Sequence, residues 1–147
     1  MSAKHDDLAT AMKAGDAERV QRLLAEHPDL VNSPEWTPPP LHCAVLWNQP
    51  QIAEILLDHG ADIEIRDPDR DTTPLRYAIV YCQKEMIPLL ISRGANAGVI
   101  KENGTTAMEL AVEAANGGFE EYDELPSRAE YGKVVDLLKQ LGDEKAK

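Results

Sequence analysis

The chain has 147 residues, 43% of them hydrophobic, which suits one compact domain or one short repeat array. Lys and Arg number 15 against 26 Asp and Glu, and the resulting net charge of −11 argues against a phosphate backbone as partner while favouring encounter with a basic protein. Met1 to Leu8 is polar, unlike the apolar core of a signal peptide, and no stretch approaches the roughly 18 apolar residues of a membrane helix, so a cytoplasmic protein without membrane attachment is expected.

Along the chain, the first aromatic landmark is Trp36 in "SPEWTPPP", where the neighbouring prolines restrain it and lower the entropy cost of using it as a contact. The next segment, "PPLHCAVLW", places Leu41, Ala44 and Val45 at helical spacing. "PQIAEILLDHG" then sets Ile52, Ile55 and Leu56 on one stripe, with Pro50 suited to a first turn and Gly60 to a left-handed end. "ADIEIRDPDRDT" is polar and rich in turn residues, which predicts a projecting hairpin with Arg66, Asp67, Asp69, Arg70 and Asp71 at its tip. The pattern then returns. Pro40, Leu41 and Ala44 recur as Pro74, Leu75 and Ala78, and Leu56, Gly60 and Ala61 as Leu90, Gly94 and Ala95, all 34 residues later. A fixed period of this size marks stacked two-helix units that cannot bury an apolar face alone.

These units resemble ankyrin repeats, in which TPLH-x-A opens the first helix and LL-xx-GA closes the second. "PPLHCA" and "LLDHGAD" carry the likeness in residues 33–66, and "TPLRYA" and "LISRGAN" in residues 67–100. In residues 101–147 "NGTTAMELA" opens the unit and "VVDLLKQLG" closes it, while residues 1–32 are similar to a terminal capping repeat with Ala11, Ala14, Val20, Leu23 and Leu24 facing inward. The resemblance implies a single all-α domain, a solenoid of about four helix pairs with short hairpin fingers. Three departures stand out. Arg76 and Glu109 replace the motif His kept at His42, so its side-chain tie to the neighbouring backbone is altered there. Pro88 falls within the second helix of residues 67–100 and predicts a bend. The last unit holds 14 extra residues between its helices, predicting an exposed loop near 115–126 with Phe119 and Tyr122, and a restart at Ser127 and Glu130, which have capping-box spacing.

No catalytic, cofactor or metal constellation stands out. The four histidines are scattered over different units, His42 and Cys43 are adjacent and point apart on a helix, and Gly117 and Gly118 lie in an acidic stretch that would repel phosphate. Cys43 and Cys82 read as reduced core thiols within helical patterns. The resemblance points instead to a protein-binding module that uses the ends of the first helices and the fingers. Transferred position by position, the candidate contacts are Leu46 and Trp47, Val80 and Tyr81, and Glu113, with Trp36 and the finger residue Arg70. Trp47 and Tyr81 occupy one register and would form an aromatic stripe of the kind that anchors interfaces. Two readings stay open: an adaptor, or a dedicated inhibitor or immunity protein neutralising a basic enzyme or toxin. A monomer is favoured over a dimer through the same stripe.

Overall fold

A computed structural model describes residues 2–98, 105–119 and 124–146. Among them are eight α-helices and no strands. The chain divides into two compact units, Met1–Pro74 and Leu75–Lys147. The first holds α1 (Ala3–Ala14), α2 (Ala17–Glu26), a single 3-10 turn, α3 (Pro40–Leu46) and α4 (Pro50–Asp58). The second holds α5, which begins at the boundary (Pro74–Val80), then α6 (Met86–Ser92), α7 (Ala107–Ala115) and α8 (Arg128–Ala146).

Short helices of seven to ten residues are marginal alone, so each must bury an apolar face against a neighbour. Within the first unit α1 packs on α2, α3 on α4, and α2 on α4; within the second α7 packs on α8. The predicted stripes are the ones buried: Leu41, Ala44 and Val45 on α3, and Ile52, Ile55 and Leu56 on α4. In the first helix pair Ala11, Val20 and Leu24 face the core together with Leu8 and Met12, whereas Leu23 is half-buried and Ala14 is exposed at the last position of α1.

One closing device ends six of the eight helices. A residue with positive φ follows the last turn, its amide bonds back to the carbonyl three residues earlier, and the next amide reaches the carbonyl five residues before it. At the end of α4 these are Gly60 to Leu57 (3.1 Å) and Ala61 to Leu56 (2.9 Å), with Gly60 at φ +93°. Gly94 and Ala95 repeat the pattern 34 residues later. After α3 the left-handed residue is Asn48 (φ +49°) and after α5 it is Cys82 (φ +51°), again 34 apart; Gly15 and Gly117 serve α1 and α7. The sequence period is thus a period in backbone hydrogen bonding.

Two expectations give way to this geometry. Cys82 does not sit in a helix; it is the left-handed residue beyond α5 and is half-buried. Pro88 does not bend α6, because the helix starts at Met86 and places Pro88 in its first turn, where the missing N–H has no intrahelical partner to lose.

The closures make opposite predictions at two sites. An added Cβ at Gly60 would meet nothing within 4 Å, so Gly60→Ala isolates the backbone cost of positive φ and should destabilise by about 1 kcal/mol. Cys82→Asn places a residue tolerant of that conformation and should raise stability by several tenths of a kcal/mol. Urea unfolding followed by circular dichroism measures both.

Candidate partner-binding surface

In the first unit the candidate contacts gather at the end of α3. Trp47 caps the helix, half-buried, and the ammonium of Lys13 from the last turn of α1 sits 5.3 Å from the centre of its ring. Leu46 beside it is also half-buried. The left-handed turn at Asn48 follows directly and fixes the direction in which Trp47 leaves the helix.

The finger of this unit is a built structure. Asp67 and Thr72 form an antiparallel bridge, and the amides of Arg70 (3.2 Å) and Asp71 (2.7 Å) both donate to the Asp67 carbonyl. The Asp67 carboxylate is buried and accepts the Asp69 amide at 3.0 Å, while Arg66 donates to the Asp71 side chain at 3.2 Å. Arg70 stays exposed at the tip. His42 anchors the base: its Nε2–H donates to the Thr72 carbonyl from a fully buried ring. This is the tie expected of the motif His. Glu109, its counterpart on α7, turns back on its own helix instead: it accepts from the Thr106 amide (2.9 Å) while the Thr106 hydroxyl accepts from the Glu109 amide (3.1 Å).

Trp36 departs from its expected place. It is 4% exposed, and its ring lies 5.9 Å from that of His5, so it belongs to the core and is closed to a partner. The cause is a polar knot that the sequence hides. Buried His5 bonds Ser2 Oγ through Nδ1 (2.6 Å) and Ser33 Oγ through Nε2 (2.9 Å), and the Trp36 amide donates to the Ser33 carbonyl (3.3 Å).

In the second unit Tyr81 caps the end of α5, 37% exposed, with Tyr77 edge-on at 6.2 Å. Val80 is half-buried, and its carbonyl accepts from the Tyr131 hydroxyl at 2.6 Å. Burial pushes the Tyr131 phenol up to about 12, with Cys82 and Tyr81 adding to the rise, so it remains a donor at neutral pH. Next to it on α8, Glu130 pairs with Lys84 (2.8 Å) and Lys133 (2.9 Å), and those two cations pull its carboxyl down to about 2.

Glu113 is exposed but does not occupy the helix-end register. α7 runs two residues longer than α3 and α5, so Glu113 lies inside the helix and the positions equivalent to Trp47 and Tyr81 pass to Asn116. The extra residues between the last two helices therefore begin by lengthening α7. Gly117 and Gly118 close it, and a Cβ on Gly117 would come within 2.5 Å of the Arg128 guanidinium. Phe119 packs edge-on to Tyr131 at 5.7 Å, and the Ser127 hydroxyl accepts the Glu130 amide at 3.3 Å where α8 starts. Tyr122 lies outside the described residues. Val112, 38% exposed on α7, is a surface hydrophobe that the repeat register did not single out.

Among the described residues no three His, Cys, Asp or Glu side chains come together to hold a metal ion, and no helix is long and apolar enough to cross a membrane. Burial pushes the Cys43 and Cys82 thiols up to about 11. Residues 5–67 match the family described as ankyrin repeats (3 copies). No curated protein matches the chain.

The finger anchor carries a pH signature. Burial, opposed more weakly by the Thr72 carbonyl and by Asp67, holds His42 below its ordinary value of 6.5. The unfolded chain therefore binds the proton more readily, so this contribution to stability is complete above about pH 6.5 and is lost as pH falls through the lowered folded value. His42→Gln, which keeps a donor without titrating, should flatten that part of a stability-versus-pH profile measured by urea unfolding.

Proposed function

We propose that the chain, whose residues 5–67 match ankyrin repeats and whose helices continue the same pattern, is an ankyrin-repeat protein-interaction module that binds a protein through the ends of α3 and α5 and the finger tip at Arg70. In this reading it consists of four repeats, residues 1–32, 33–66, 67–100 and 101–147. The observation that carries it is the placement of Trp47 and Tyr81. Both cap a first helix, both precede a left-handed turn, and both stay accessible to a partner while the rest of the apolar stripe is buried. Large aromatics with low rotational freedom are the side chains from which interface anchors are made.

Leu46, Val80 and Arg70 flank these anchors as secondary contacts. Lys13 is a further member, and its ammonium over the Trp47 ring holds that ring in a defined orientation. The net charge of −11 supports a basic partner, whose approach would be accelerated at low ionic strength. An inhibitor of a basic enzyme is the form of this reading in which electrostatics dominate the association rate.

The test is capture of interacting protein by the wild-type chain and by a folded Trp47→Ala, Tyr81→Ala double variant at two salt concentrations. Loss of the captured protein in the variant, by tenfold or more, is expected for anchors of this type. Equal capture would rule the two aromatics out as contacts. Retention that falls steeply with salt would favour the inhibitor form over the adaptor form.

A further inference from the structure

The start of α8 meets the turn that follows α5 at two adjacent points. Tyr131 donates to the carbonyl of Val80, and Glu130 pairs with Lys84, so consecutive residues of one helix hold both sides of the left-handed residue Cys82. Tyr131 is 1% exposed beneath this contact and is backed by Phe119. We propose that this first turn of α8 is a releasable clasp, whose local opening uncovers Val80 and Cys82 on either side of the already exposed Tyr81 while the helix pairs remain folded. The proposal deepens the reading of residues 80 and 81 as contact positions and rests on it.

Three features make the contact releasable. Besides the buried Tyr131 ring, its polar fastenings are one neutral hydrogen bond and one solvent-exposed ion pair, each a modest contributor to stability. The helix is weakened just behind them: Gly132 follows Tyr131 directly, a Cβ there would meet nothing within 4 Å, and no packing reason for glycine offsets its low helix propensity. On the other side, the turn that closes α7 runs through Gly117, whose positive φ, with no room for a Cβ beside the Arg128 guanidinium, sets the chain direction ahead of the clasp. Fraying of α8 as far as Gly132 would free Glu130 and Tyr131 in one step. The affinity of any partner that needs the backbone of Val80 would then scale with the open fraction.

Cys82 is a reporter already in place, half-buried under the clasp, while Cys43 is buried in the other unit. The experiment labels the full chain with a disulfide-exchanging aromatic thiol reagent at one fixed pH and resolves the two cysteines by mass spectrometry across low urea concentrations. The wild-type Cys82 rate is expected to be insensitive to urea while helicity is retained. Tyr131→Phe should raise it about fivefold through loss of the hydrogen bond. Gly132→Ala should lower it about threefold to fivefold by stiffening the first turns of α8.

A Cys82 rate that climbs with urea in step with loss of helical signal would overturn the proposal, since exposure would then require unfolding of the unit. So would a rate indifferent to both substitutions. If Tyr131→Phe fails to fold, Gly132→Ala decides alone. Neither negative outcome touches the capture experiment, which depends on the Tyr81 side chain and not on how the turn opens.

Discussion

The left-handed turn at the end of each first helix is the constraint on which the rest of the structure depends. A two-helix unit must turn the chain away from its first helix without leaving carbonyls unpaired, and the paired backbone bonds at Asn48, Cys82 and Gly117 achieve that. The same turns determine which side chain is left at the helix end. Trp47 and Tyr81 are partly exposed because they stand one residue before a reversal, where the helix has no further turn to cover them.

Much of this was legible because left-handed closures leave a trace in composition. Glycine at positions 60 and 94 and proline at 40, 50 and 74 are residues chosen by backbone geometry, so the period of 34 could be read directly from them. Cys82 was misplaced because cysteine carries no such trace; nothing local distinguishes a thiol in a helix from one in a left-handed turn. Pro88 was read as an interruption because helix starts are harder to place than helix existence, and a shift of the start by a few residues converts a breaker into a tolerated first-turn residue.

The candidate surface was legible only in part, for a different reason. Trp47 and Tyr81 follow from the repeat register, which is local. Trp36 is withdrawn from the surface by His5 and Ser33, a pair 28 residues apart, and Val80 is held by Tyr131 across 51 residues. Non-local polar contacts of this kind leave no periodicity. The longer α7 likewise carries the helix end two residues further, to Asn116, and leaves Glu113 inside the helix, which a fixed repeat length cannot anticipate. What looked like an insertion between two helices adds residues to α7 and forms the start of α8 that braces α5.

The central claim is that the helix-end positions, not the second helix of each pair, meet the partner. Site-specific photo-crosslinking tests it most directly, with a benzophenone side chain introduced in turn at Trp47, at Tyr81, and at the exposed controls Glu54 on α4 and Ser92 on α6. Crosslinks to one partner from positions 47 and 81, with none from 54 or 92, are the predicted result. Crosslinks from 54 or 92, with none from 47 and 81, would place the interface on the second helices and contradict the account.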